Sequence, residues 1–438
     1  MTQGRETFGS RFGSVMALMG VAVGLANVWR FPYMAGRYGG AAFVALYIVF
    51  GILLGIPAVM AEWTLGRFTR QGPAGAFVTA GMPGGRGIGW LLFFTVFMAE
   101  SYYTLVVGQV LFYVFETFLG GGAGQAPENF FETMLTGITV WNVSVTAATF
   151  LGVASVLYFG VRRGIETVSR IAMPLVFVAL LVVIARSVTL PGAGAGIRFF
   201  LLPDLSKLNA ETALAALGQV FFSLSLGGTF FLLYGSYLRA DEDIPKTAIQ
   251  TALGDLTAAL LGGLAILPAV FAMGLEPSSG PSLLFITLPG VFAGMPGGSL
   301  VGGIFFGALF LAAFLSAVAA FEVLVDSARH YFGWSRGKAL ALLVPVQLVV
   351  ALPSMASSKF LQWNDLLWGS TMQPVGSALT LVALGWFVSR GKALAEINRG
   401  SSIAIGSVWI FWIRWVIPVT IVIILISGWW PQLSRLLF

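Results

Sequence analysis

The stretch Gly20-Val-Ala-Val-Gly-Leu-Ala-Asn-Val-Trp-Arg-Phe-Pro32 places two glycines, an Asn, an Arg and a Pro inside an apolar run. Gly weakens helical preference, and Pro32 disrupts the turn before it. In lipid, an opened backbone is tolerated only where it is buried in protein or lines a cavity. The stretch therefore reads as a helix broken at membrane depth. Its freed carbonyls can hold a cation and its freed amides an anion. The bland alternative is an intact helix with packing glycines and an interhelical Asn27 hydrogen bond. A second run, Phe221-Phe-Ser-Leu-Ser-Leu-Gly-Gly-Thr229, interrupts another apolar segment in the same way.

Several carboxylates also stand inside apolar segments. Asp255 lies beside Leu253 and Leu256, about three turns into its segment, where an unpaired charge is costly. It should bind a cation or a proton. Glu100 precedes Tyr103 by three residues. It either faces a cavity, favouring a cationic substrate or carrying a proton, or is a protonated packing group. Glu62 and Glu322 read as helix-packing hydrogen bonds. The chain has no Cys and a single His, His330. With no metal-ligand cluster or phosphate loop either, an enzyme is not expected.

These residues need a membrane scaffold to position them. The 438 residues are 58% hydrophobic and 10% charged, with apolar runs of roughly 20 residues. The expectation is an all-α integral membrane protein of about 11 transmembrane helices. They fall near 11–36, 40–66, 87–119, 140–159, 166–190, 213–238, 245–274, 299–329, 337–353, 366–389 and 405–428. The net charge of +6 comes from basic loops, which indicates orientation rather than nucleic-acid binding. About two thirds of the basic residues fall on one side, which predicts N-terminus in and C-terminus out. The first segment is polar at its centre, so no cleavable signal is expected. Five segments separate the two broken helices, which thus run in opposite directions. This predicts an inverted repeat, 11–190 against 212–390, with 405–428 outside it, and a binding site at the two breaks.

Further motifs carry a specific likeness. They are Arg5-Glu6, Asn27-Val-Trp-Arg-Phe-Pro32, Gly39-Gly-Ala-Ala-Phe43, Glu62-Trp-Thr-Leu-Gly66, Ser101-Tyr-Tyr103, Arg163-Gly-Ile-Glu-Thr-Val-Ser-Arg-Ile-Ala-Met-Pro174, Gly218-Gln-Val-Phe-Phe-Ser223 and Ser236-Tyr-Leu-Arg239. In this order and spacing the chain resembles the LeuT-like bacterial neurotransmitter:sodium symporters, over nearly its whole length. The resemblance implies a LeuT-like 5+5 repeat and secondary active, sodium-coupled uptake of an amino acid. It implies an inner-membrane location and a monomer or weak dimer.

The same resemblance implies the site. The amides of Leu25 and Ala26 and the Tyr103 hydroxyl would hold a substrate carboxylate. The carbonyls of Ala22, Phe222 and Ser223 and the Ser225 hydroxyl would hold its ammonium. Monoamine members place an Asp where this chain has Gly24, so an amino acid is expected. Ala99, Phe222, Gly228, Ser316 and Ala320 would line the side-chain pocket. Small residues at Ala99, Gly228 and Ala320 would make room for a bulky apolar or aromatic side chain, unless neighbouring Phe and Met groups fill it. A first sodium would take the Ala22 carbonyl, Asn27, Ser223 and Asp255. Asp255 would repel chloride from Tyr47, Gln219 and Ser223, so no chloride is expected. A second sodium would take the carbonyls of Gly20, Val23 and Ala312 with Ser316, but Leu315 stands where the family supplies another oxygen. One or two sodium ions are thus open, as is a proton-coupled or uncoupled transporter or sensor with a degraded second site.

Gating follows by resemblance as well. The outer gate would pair Arg30 with Asp365, with Tyr103 and Phe222 as a thin lid. The inner gate would hold Arg5 with Ser236, Tyr237 and an acid. His330 occupies the family's acid position, and Asp326, one turn earlier, would stand in. Protonation of His330 near its unperturbed pKa of about 6.5 would then loosen the gate, or His330 is simply a solvated histidine.

Overall fold

The computed structural model describes residues 5–119, 127–277 and 283–437. The connections between the expected spans 87–119 and 140–159, and between 245–274 and 299–329, lie partly outside these residues. The main helices are α1a (Arg11–Ala22), α1b (Ala26–Arg37), α2 (Ala41–Thr69), α3 (Gly85–Phe118), α4 (Val140–Tyr158) and α5 (Val161–Ser187). They continue as α6a (Ala210–Ser223) and α6b (Phe230–Tyr237). After these come α7 (Ile244–Ala272), α8 (Gly298–Phe332), α9 (Arg336–Ala356), α10 (Ser358–Phe387) and α11 (Ser407–Trp429).

Among the described residues, eight helices are long and apolar enough to cross a bilayer in one piece. The α1 pair passes as a bent unit with a 51° angle, and α10 passes together with the short helix Arg390–Ile397 at 114°. The two α6 pieces are each too short alone. Large apolar side chains such as Phe94, Leu151, Val178, Val346 and Val419 are exposed on these helices, as a lipid-facing surface requires.

Glycines let the inner helices approach closely. A Cβ on Gly235 of α6b would lie 2.7 Å from the Trp63 Cα of α2, and one on Gly66 would strike the Leu232 carbonyl. The connection between the expected spans 166–190 and 213–238 contains a helix, Ala193–Leu201. Its Phe200 is buried over Gly263 and edge-on to Phe31, which anchors an amphipathic segment that periodicity alone left as a connection. At the start of α1a, Glu166 of α5 accepts hydrogen bonds from the Gly9 amide (2.6 Å), the Ser10 amide (3.0 Å) and the Ser10 hydroxyl (2.7 Å). Ser10 in turn caps α1a through the Gly13 amide. The chain leading into α1a is thereby tied to the scaffold.

Candidate substrate and ion site

Both breaks have a local cause. Val23 adopts an extended conformation after α1a, and the Gly24 amide donates to Asn27 Oδ1 at 3.0 Å instead of continuing the helix. In α6, Ser225 and Gly228 take left-handed conformations, with φ of 50° and 63°. Glu62 Oε1 accepts from the freed amides of Gly227 (3.2 Å) and Gly228 (2.9 Å), so the carboxyl replaces the lost helical partners. The Ser225 hydroxyl donates to the Val21 carbonyl at 3.0 Å, joining the two breaks.

Asn27, Tyr47, Ser223 and Asp255 meet in one fully buried cluster. Asn27 Nδ2 donates to Asp255 Oδ1 at 2.7 Å, to the Asp255 carbonyl at 3.0 Å and to Ser223 Oγ at 2.9 Å. The Tyr47 hydroxyl lies 2.9 Å from Ser223 Oγ and 3.1 Å from Asp255 Oδ2. Ser223 donates to the same carboxylate at 2.9–3.0 Å. Among the described residues no ion pair includes Asp255. The cluster thus gathers hard oxygens and a negative charge around a helix break, a donor set that suits an alkali cation.

The residues expected to hold substrate gather beside it. Leu25 and Ala26 stand at the start of α1b, where amides lack intrahelical partners. The Tyr103 hydroxyl faces Ser316 and the Leu25 amide. A Cβ on Gly24 would lie 2.8 Å from Ser316 Oγ and 3.3 Å from the Tyr103 hydroxyl, so an Asp there would collide with both. Ala99 and Ala320 are buried small residues, as the pocket expectation needs. Gly228 is not a third opening. A Cβ there would strike the Gly376 carbonyl and Thr380 of α10, because the two backbones touch. Its glycine serves a left-handed turn and a close helix approach, and the expected room is limited to Ala99 and Ala320.

At the second expected ion position, Ser316 Oγ lies 3.3 Å from the Gly20 carbonyl and 3.5 Å from those of Val21 and Ala312. Leu315 is buried with a methyl directly over Gly20. The side chain that would complete an oxygen shell is hydrocarbon.

Comparison with known proteins decides the family. The family model described as the sodium:neurotransmitter symporter family matches residues 5–133 and 131–433. The chain belongs to this family. It is 32% identical to the sodium-dependent transporter YhdH of Bacillus subtilis over 95% of this chain and 96% of that protein. It is 28% identical to the sodium-dependent serotonin transporter of Drosophila melanogaster over 80% of this chain and 64% of that protein. Among solved structures, the crystal structure of MhsT in complex with L-phenylalanine superposes with a TM-score of 0.88 at 35% identity, covering 97% of this chain and all of that one. The fold is therefore that of a LeuT-like transporter, and the chain is a multi-pass membrane protein that moves a small molecule in a sodium-dependent way and is not an enzyme.

At the expected inner gate, Arg5 donates to Asp326 Oδ1 at 2.6 Å and to Ser236 Oγ at 2.6 and 3.1 Å, and its guanidinium lies 4.7 Å from the Tyr237 ring centre. The carboxylate that meets Arg5 is that of Asp326. His330 makes none of these contacts: it sits in the last turn of α8, next to Gly75 and edge-on to Tyr331. Beneath the gate, Tyr237 donates to Glu322 at 2.8 Å, and Arg336 pairs with Glu322 at 2.7 Å and with Glu6 at 3.1 Å. Glu322 is therefore an ion-pair partner as well as a packing group. Arg336 was not anticipated, although a carboxylate so deep in a helix signals that a cation must reach it. Burial pushes Glu6 up, but the Val161 amide and the Arg336 guanidinium outweigh it and hold its carboxyl below the usual range.

The outer gate differs from expectation. Arg30 and Asp365 do not form an ion pair in this structure. Arg30 instead donates to Gln219 Oε1 at 2.5 Å and stacks 4.4 Å over Phe222, while Asp365 accepts from the Tyr102 hydroxyl at 3.1 Å. A cavity of about 340 Å³ on this side has Arg30, Phe222 and Gly369 in its wall. Gln219 also donates to the Ala26 carbonyl at 3.0 Å, so the Arg30 contact is anchored on the α1 break.

Proposed function

We propose that this symporter carries an apolar or aromatic amino acid into the cell across the inner membrane with sodium and without chloride. The N-terminus is cytoplasmic, the C-terminus is outside, and the unit is a monomer or weak dimer. The observation that carries the ion part is the buried Asp255 cluster. Tyr47 and Ser223, hydroxyls that would otherwise hold an anion, already donate to the Asp255 carboxylate. A chloride there would meet a fixed negative charge and donors already engaged. Sodium takes the Ala22 carbonyl, Asn27, Ser223 and Asp255, with Asn27 and Ser223 rotating their oxygens inward.

The substrate carboxylate takes the Leu25 and Ala26 amides and Tyr103, and the ammonium takes the Ala22, Phe222 and Ser223 carbonyls with Ser225. The L-phenylalanine bound by MhsT, together with Ala99 and Ala320, supports a large apolar side chain. Ion and substrate bind to adjoining parts of the α1 break, so each favours the other, and their differential contacts with the open and closed states drive alternation. The second position, at Gly20, Val23, Ala312 and Ser316, contributes little because Leu315 fills it. A single sodium per cycle follows. The test is binding of a panel of labelled amino acids to purified protein, with sodium titrated against choline at constant ionic strength. Saturable binding of aromatic or branched residues that requires sodium and survives replacement of chloride by gluconate is expected. Preferential binding of glycine or alanine, or sodium-independent binding, overturns the reading.

A further inference from the structure

Glu100 is buried in the middle of α3 with almost nothing to hold a charge. Its Oε1 accepts from the Thr104 hydroxyl at 2.5 Å, and its Oε2 is buried without a partner. Of the other buried carboxylates of the core, Asp255 is answered by three side-chain donors, Glu322 by Arg336 and Asp326 by Arg5, while Glu62 receives two backbone amides on Oε1 and leaves its Oε2 without a partner. No charged group of α4, α8, α9, α10 or the short helix Pro73–Thr79, which pack on α3, acts on Glu100 among the described residues. The nearby titratable groups are Tyr102 and Tyr103 on its own helix, and Asp365 of α10 is engaged with Tyr102. One turn before Glu100, Gln347 of α9 donates to the Phe97 carbonyl at 2.9 Å while its own Oε1 also lacks a donor. The α3–α9 level thus has surplus acceptors and no cation.

A bare carboxylate in such a place is costly, and a proton on Oε2 removes the charge and turns one surplus acceptor into a donor. Glu100 stands one turn before Tyr103, whose hydroxyl lies at the substrate position, so opening the site outward brings water towards it. We propose that Glu100 is a proton-binding site: its carboxylate takes a proton from the outer solution as the site closes over substrate and is a neutral carboxylic acid in the closed state. This rests on the symporter reading above.

One proton taken up with substrate makes the dissociation constant rise about tenfold per pH unit above the pH at which the open-state carboxyl ionises. The experiment measures sodium-saturated binding of the best amino acid from roughly pH 5 to pH 9 in the wild type, Glu100→Gln and Thr104→Val. The wild type is expected to lose affinity with rising pH and Glu100→Gln to show a flat profile. Thr104→Val removes the donor that favours the carboxylate and is expected to move the fall to higher pH. A pH slope that persists in Glu100→Gln, or a flat wild-type profile, overturns the proposal. If no amino acid binds, the substrate reading has failed. Infrared difference spectra of the substrate-free protein then decide Glu100 on their own. A carboxyl band that titrates between roughly pH 5 and pH 9 and is lost in Glu100→Gln supports the site, and its absence overturns it.

Discussion

Replacing Asp255 by Asn keeps the shape of the buried cluster and removes its charge. In the structure the carboxylate accepts from Asn27 Nδ2 at 2.7 Å, from Ser223 at 2.9–3.0 Å and lies 3.1 Å from the Tyr47 hydroxyl. An Asn must present an NH₂ towards at least one of these groups. A hydrogen bond to a charged partner contributes about 1.5–3 kcal/mol against about 0.5–1.5 for a neutral one. A unit charge about 4 Å from a bound cation contributes at most about 4 kcal/mol at an effective dielectric of about 20. Together these place the loss of sodium affinity near 3 kcal/mol, a shift of about a hundredfold in the half-saturating concentration, at about 1.4 kcal/mol per decade.

The same substitution frees the Tyr47 and Ser223 hydroxyls and removes the repulsion against an anion. Sodium titrations of amino acid binding, run in chloride and in gluconate, read both effects. The wild type should be indifferent to the anion, and Asp255→Asn should be strongly right-shifted in gluconate and partly restored by chloride. A variant with the wild-type sodium midpoint would refute the placement of sodium at Asp255. Anion dependence in the wild type would refute the argument that the carboxylate takes chloride's place.

Leu315→Thr places a hydroxyl beside Ser316 and the Gly20 carbonyl, and should raise the sodium Hill slope from about one towards two in the same binding assay. Gly228→Ala forces a methyl into the Gly376 carbonyl in a left-handed conformation. It should lower thermal stability by about 2 kcal/mol or more in a detergent unfolding assay without changing the ranking of amino acids in competition. Glu6 has a lowered folded-state carboxyl value, so its contribution is present above the ordinary carboxylate range and is lost as pH falls through the folded value. The inner gate should therefore loosen below about pH 4.5, read as faster labelling of a single cysteine introduced near Ser236, and Glu6→Gln should remove that acid step.

The two helix breaks were legible because glycines, a proline and hydroxyls in an apolar run leave few other backbone solutions in lipid. Asp255 was legible for the same kind of reason: a carboxylate between leucines declares that something must answer it. Gly228 was misread because sequence cannot say whether a missing Cβ faces a cavity or a neighbouring backbone, and here it faces Gly376. The partners of Arg30 were misread because a long side chain has several acceptors within reach, and Gln219 on α6a competes with Asp365 on α10. Asp326, read from sequence as a stand-in for the acid at the His330 position, meets Arg5 because it lies one turn from that position on the same face of α8. Arg336 stayed hidden because it reaches Glu322 from beyond the α8–α9 turn, a tertiary contact with no periodic signature.

Leu315, Asp255 and Glu100 are best understood as one set of charges. In the proposed closed state, sodium neutralises Asp255 and the zwitterionic amino acid adds none. A second sodium beside Ser316 would leave an excess positive charge unless another carboxylate were ionised near it. On the proposed one-sodium reading, Leu315, whose methyl lies over Gly20, withholds the oxygen that a second ion would need. Glu100 then has no cation to answer it, and its protonated form avoids a further uncompensated buried charge. Restoring an oxygen at position 315 and removing the carboxyl at position 100 should therefore interact. If the two ions alternate in one balance, the sodium slope gained by Leu315→Thr should come with a weaker pH dependence of binding. It should also shrink when Glu100→Gln is added. Independent, additive effects of the two substitutions would separate the sites and remove the common electrostatic cause.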